Sequence, residues 1–211
     1  MSAIAIQSSG SGAGTLSIAA PITATNRTLT LPDATTTFVG TDATQTLTNK
    51  TIQGGAITSG TAVASTSGTS IDFTSIPSWV KRVTVMLNGV STSATSNIQI
   101  QIGAGSVTTS GYTCYIGNID GTNATSVTTA TCGFIAKSGV GAAALYSGVM
   151  VITLLTGNTW LSTNSTSGSS GVTTFSNGSL ALGGTLDRVR ITTVNGTDTF
   201  DAGSINILYE G

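Results

Sequence analysis

The chain contains no histidine, and 7% of its 211 residues are charged, against about 25% in an ordinary soluble protein. Without histidine the usual general base is missing, and so is every Ser-His or Cys-His nucleophile arrangement. A zinc site built from this chain is equally disfavoured. The two cysteines, Cys114 and Cys132, lie 18 positions apart, which matches no metal-ligand spacing. They read as small buried hydrophobes or as a disulfide between neighbouring strands. The formal net charge is −1, with seven basic residues. These are scattered apart from Lys81-Arg82 and Arg188/Arg190, so no basic face suits nucleic acid. No run approaches the ~20 apolar residues of a membrane span; the most apolar window, Ala142 to Leu155, is broken by Ser147 and Gly148. The start, MSAIAIQSSGSG, lacks a basic region followed by a long apolar core. The expectation is a protein made in a cytoplasm and not exported by the general route.

Ser, Thr, Gly and Ala fill the space that charges leave. Hydrophobic residues make up 39% of the chain and mean hydropathy is positive, which argues for a folded chain, since disorder goes with low hydrophobicity. SSGSGAG near the start reads as a tether. Its GSGAG is no dinucleotide loop, because no strand precedes it and no helix follows. The Asn-X-Ser/Thr triplets at Asn26, Asn49, Asn123, Asn164, Asn177 and Asn195 follow from the Ser/Thr content and signal no glycosylation.

Residues 1–60 read as one region. Short apolar clusters are separated by Gly, Ser and Thr, and Pro21 and Pro32 exclude regular helix around them. Within it, RTLTLPDATTTFVGTDATQTLTNKTI, Arg27 to Ile52, favours extended backbone through its threonines. Its apolar residues are too few to close a core in one chain, so its partners are expected to be other copies of itself.

Residues 61–211 read differently. Val83, Val85 and Leu87, then Ile98, Ile100 and Ile102 around Gln99 and Gln101, then Val189 and Ile191 around Arg190, then Ile205, Ile207 and Tyr209 all alternate with polar residues. Period two with branched residues predicts half-buried strands. Turn dipeptides recur at Asn88-Gly89, Asp120-Gly121, Gly157-Asn158, Asn177-Gly178 and Asn195-Gly196, with glycine pairs at Gly103/Gly105 and Gly183-Gly184. A further turn is expected at Ser75-Ile76-Pro77. No helix is predicted; the stretch Ala142 to Leu155 favours a strand. The fold class expected is all-β: an extended N-terminal segment, then an antiparallel β-sandwich of eight to ten short strands resembling a jelly roll. Trp79 is expected to plug one end of it, with Phe73 and Phe134 in the core.

TLPDATTTFVG and TQTLTNKTI resemble the shaft-proximal region of bacteriophage tail fibre proteins. SIDFTSIPSWVKRVTVMLNGVSTS, NIQIQIG and GSINILYEG resemble the tip domain of phage and prophage tail fibres. The resemblance implies a homotrimeric virion protein, attached to tail or baseplate proteins through the N-terminal segment. Its head would bind a host surface polysaccharide or lipopolysaccharide, with no membrane insertion. About Ser106 to Gly184 carries no such likeness, and in such fibres this middle varies with the host target.

Catalysis by paired carboxylates, as in glycan depolymerases, is the enzymatic alternative, and a purely architectural role is another. The closest acid pair, Asp198 and Asp201, is poorly placed, because residues three apart on a strand point to opposite faces. Acids here read as turn and strand-end residues, and no cofactor or catalytic residue is expected. For adhesion, an aromatic face with a few amides and carboxylates is the relevant chemistry. That selects Tyr112, Tyr115, Asp120, Asn123, Asn158 and Trp160 as receptor contacts, although each aromatic also fits a core position.

Overall fold

The computed structural model describes residues 24–26, 57–121, 123–124, 128–169 and 171–211. Arg27 to Ile52, the GSGAG tether and Pro21 and Pro32 lie outside the described residues. The chain divides into two compact units, Met1–Thr51 and Ile52–Gly211, and every described strand belongs to the second. That unit starts before the expected residue 61: β1 (Ile57–Ser59) pairs with the last strand, β15 (Phe200–Glu210), through Ile57 and Glu210.

Among the described residues there is no helix. Fifteen strands form two antiparallel sheets, an arrangement consistent with a β-sandwich. The larger sheet runs β1, β15, β4 (Arg82–Thr92), β11 (Tyr146–Thr156), β12 (Thr159–Gly168), β13 (Val172–Ala181), β7 (Thr113–Asp120), β8 (Asn123–Ala124). β2 (Val63–Ala64) pairs with β15, and β9 (Thr128–Ala130) with β7. The smaller sheet runs β10 (Phe134–Lys137), β5 (Ile98–Ala104), β14 (Arg188–Thr193), β3 (Ser70–Thr74), with β6 (Ser106–Val107) on β5. Three pairings are nested: β4 with β15, β5 with β14 and β7 with β13. They alternate between the sheets.

The alternating apolar residues fill the space between the sheets. Val83, Val85, Ile98, Ile100, Ile102, Val189 and Ile191 are all fully buried, from both sheets. Phe134 joins them, and Phe73 packs against them half-buried. Trp79 departs from expectation: it is 42% exposed, its ring tilted against Tyr209 with centroids 5.9 Å apart.

Turn chemistry holds where a hairpin needs it. Gly157-Asn158 joins β11 to β12 with Gly157 at φ 55°, and Gly121 at φ 57° closes β7 onto β8. Two other dipeptides are not turns. Asn88-Gly89 lies inside β4, where the pairing to β15 slips by a bulge. Asn177-Gly178 lies inside β13. There a Cβ on Gly178 would stand 2.5 Å from the Thr113 carbonyl and 2.9 Å from the Phe134 ring. Close approach, not backbone freedom, is what this glycine supplies.

β12 and β13 also invert the usual polarity. Ser162, Asn164, Thr166, Thr174 and Ser176 point inward and are buried, while Leu161 and Phe175 point outward at 40% and 43% exposure. The cause is β10. It pairs with β5 along one edge only, and burial of an unpaired strand edge is costly. Side chains of the larger sheet replace the missing strand. Asn164 Nδ2 donates to the Ala136 carbonyl at 2.9 Å, Ser176 Oγ to the Ile135 carbonyl at 2.5 Å, and the Ser138 amide donates to Thr174 Oγ1 at 3.2 Å. The Ile135 amide reaches Cys114 Sγ at 3.4 Å. Both cysteines are free thiols, Cys114 buried and Cys132 half-exposed.

Candidate functional site

The structure separates the six residues selected from sequence. Tyr112 is 2% exposed. Its ring stands edge-on to Phe134, centroids 4.8 Å apart. Its hydroxyl accepts from the Ile102 amide at 2.8 Å and lies 3.0 Å from the Thr108 carbonyl, to which it donates. Burial pushes its pKa well above the ordinary phenol range. Trp160 is likewise 2% exposed. Neither ring has a face to offer a surface ligand, so both belong to the core and not to a receptor site. The reason is register: each occupies an inward position, Tyr112 just before β7 and Trp160 on β12.

Tyr115 points the other way and is 54% exposed. Asp120 and Asn123 are exposed and sit opposite each other across the β7–β8 hairpin. The hairpin lies at the end of β7, five residues beyond Tyr115 and so about 16 Å along the strand from it. Asn158 does not join them. It sits in the β11–β12 turn, where its carbonyl accepts the Leu182 amide at 3.0 Å. Thr159 pairs with Ala181 while Tyr115 pairs with Asn177. Asn158, five residues from Thr163 in the Tyr115 row, is therefore displaced along the strands by about 16 Å.

What surrounds Tyr115 is the outer face of the larger sheet. One row across it runs Leu208, Thr84, Val151, Thr163, Asn177, Tyr115, and the next runs Asn206, Met86, Val149, Ser165, Phe175, Gly117. Phe175 is diagonal to Tyr115, a separation of about 7–8 Å. Gly117, opposite Phe175, leaves open space beside that ring, since a Cβ there would meet nothing within 4 Å. A shallow hollow of about 310 Å³ lies alongside, lined by Val149, Val151, Thr163, Ser165 and Phe175. No charged residue stands in these two rows. At one end of these strands stands the Arg82–Glu210 ion pair, in which the guanidinium holds Glu210 below the usual carboxylate range.

Phe175 was missed from sequence. The signal was present in VTTFSNGSLA as an apolar residue between two hydroxyls, but alternation alone does not tell which side faces water. Gln99 and Gln101 were missed for the same reason. They read as the wet side of β5, yet they are 2% and 5% exposed. The segment at Cys132 covers them: Gln101 Nε2 donates to the Cys132 carbonyl at 2.8 Å, and Cys132 Sγ donates to Gln99 Oε1 at 3.1 Å.

The acid pair is divided by its surroundings. Asp198 is buried and accepts from the Ser96 amide at 2.9 Å and from Asn195 Nδ2 at 2.5 Å, while Asp201 is exposed on β15.

No family model, curated protein or solved structure matches this chain.

Proposed function

We propose that this protein is a structural component of a phage-type tail fibre, whose β-rich head binds a host surface glycan without cleaving it. The observation that carries this reading is the pair of exposed rings, Tyr115 and Phe175, on an uncharged sheet face set with Thr163, Ser165 and Asn177. The apolar face of a pyranose stacks on a ring, and its hydroxyls exchange hydrogen bonds with neighbouring amides and hydroxyls. An uncharged face suits a neutral polysaccharide, and a sheet held by a shared core keeps the two rings in place.

The sequence resemblance supports the particle context: residues 1–60 would attach the head to tail or baseplate proteins and intertwine in a homotrimer. Three weak sites on one rigid assembly combine through effective concentration. A per-site dissociation constant near 1 mM, about −4 kcal/mol, then suffices to hold a particle. The nested pairings that alternate between sheets support a jelly-roll topology, with the β11–β12 hairpin inserted between β4 and β13 as a departure from the plain form.

The test is competition. Purified protein should label host cells and block adsorption of the virus, and Tyr115→Ala and Phe175→Ala should weaken both. Wild-type protein that neither labels cells nor competes defeats the adhesin reading and favours an architectural part. Release of reducing ends from host polysaccharide would favour the enzymatic alternative.

A second reading is favoured by Met86, Val149 and Leu161 on the same face. Apolar and aromatic residues without charge are also the composition of a subunit interface core. In that case Tyr115→Ala changes the assembly mass and not cell binding alone.

A further inference from the structure

The opposite surface of the head carries a different feature. The outer face of the smaller sheet holds a trough of about 320 Å³, near the lower limit for a small-molecule site and sized for one sugar ring. Its floor is β5 and β14, with Gln101 and Arg190 directly opposite each other in register. Its walls include Thr109, Cys132 and Val194.

The floor is polar, fixed and electrically balanced. Gln101 is held by its Nε2 bond to the Cys132 carbonyl. Its Oε1 receives no hydrogen bond among the described residues, and Gln101 lines the trough, so an acceptor without a protein donor stands at its floor. Arg190 is gripped by Asp72 through two bonds, Nε to Oδ1 at 2.7 Å and Nη2 to Oδ2 at 3.0 Å. That pairing uses two of its five N–H donors and cancels its charge. Donors and an acceptor therefore face the same small space with no net charge between them. Val194, 43% exposed, adds an apolar wall.

We infer that this trough is a second ligand site, one that takes a single neutral saccharide residue. Adjacent hydroxyls of a pyranose donate to Gln101 Oε1 and accept from the Arg190 fork, while its C–H face lies on Val194. An anion is disfavoured because Asp72 already neutralises the guanidinium. A drug-sized apolar ligand is disfavoured by the size and polarity of the floor. The inference does not rest on the Tyr115 face, which lies on the other sheet.

Cys132 is a built-in reporter, since this partly exposed residue lines the trough while Cys114 is buried. The experiment follows iodoacetamide alkylation of Cys132 in the full-length protein by peptide mass spectrometry. Glucose, galactose, mannose, rhamnose and N-acetylglucosamine are each added at high millimolar concentration, with glycerol as the control. At least one sugar should slow alkylation several-fold where glycerol does not. Arg190→Lys, which keeps the charge but loses the fork, should weaken that protection. Thr109→Trp on the exposed rim should fill the mouth and remove the sugar dependence, which keeps the test sound if Arg190→Lys fails to fold. Tyr115→Ala should leave protection unchanged, so failure here and failure of the adhesin reading are separate results. Alkylation indifferent to all five sugars, or slowed equally by glycerol, overturns the inference.

Discussion

The ammonium of Lys137 lies 5.1 Å from the centre of the Tyr146 ring, and both side chains are fully buried. Lys137 Nζ also contacts the Ser138 carbonyl and Thr174 Oγ1, but none of the ion pairs among the described residues includes it. A ring face and two neutral oxygens replace only part of the lost hydration. Burial accordingly lowers the lysine's pKa from its ordinary value to about 8.

Stability should therefore depend on pH in the alkaline range. The folded state releases this proton near pH 8, whereas the unfolded chain holds it to about 10.5. Between those values the unfolded state binds more protons, so stability rises with pH. The gain should be on the order of 2 kcal/mol by pH 10. Urea midpoints at pH 7 and pH 9.5 measure it. Lys137→Met should remove this rise, and an equal rise in that variant would assign it to other groups.

Removing the side chains that complete the β10 edge should be costly. Asn164→Ala strips donors from the Ala136 and Thr174 carbonyls, and Ser176→Ala uncovers that of Ile135. Each should lose about 1–3 kcal/mol, against less than about 0.5 kcal/mol for the outward neighbour Thr163→Ala. Chemical denaturation of the three variants decides it; equal effects would mean that β10 does not depend on this support.

Gly178→Ala separates a turn from a strand. A surface turn tolerates such a change, but here the new methyl meets the Thr113 carbonyl and the Phe134 ring. Overpacking of this kind costs about 1–3 kcal/mol. A melting temperature within error of wild type would contradict the packing of β13 against β7 and β10.

The exposed and buried aromatics should part company. Tyr115→Ala and Phe175→Ala should change stability by less than about 0.5 kcal/mol while lowering cell binding. Trp160→Ala should cost about 3–5 kcal/mol. Thermal melts beside cell-binding assays give both readouts, and loss of binding in step with loss of stability would remove Tyr115 from the site.

Light scattering on the full-length protein should give a mass near three times the 20.9 kDa chain. A mass equal to that of one chain would exclude the homotrimer.

Much of the fold was legible locally. Alternation at Val83, Val85 and Leu87 and at Ile98, Ile100 and Ile102 marked strands β4 and β5, because branched side chains at period two suit a pleated surface with unlike faces. Gly157-Asn158 and Asp120-Gly121 marked hairpins, because positive φ at those glycines closes the turn. Of the candidate contacts, Asp120 and Asn123 are exposed together because the β7–β8 hairpin joins neighbours in sequence, while Tyr115 is exposed further back along β7.

What sequence could not say was which face of each strand meets water. Alternation shows that two faces differ, and the element packed against a face settles which one is buried. β10 lies within the fold with an edge to satisfy, so β12 and β13 turn hydroxyls and amides inward and leave Leu161 and Phe175 outside. The segment at Cys132 lies over β5, so Gln99 and Gln101 are covered. Tyr112 and Trp160 point into the core, and Asn177-Gly178 runs straight through β13. Each of these outcomes depends on contacts between residues distant in the chain, so the candidate face around Tyr115 became visible only once the sheets were assembled.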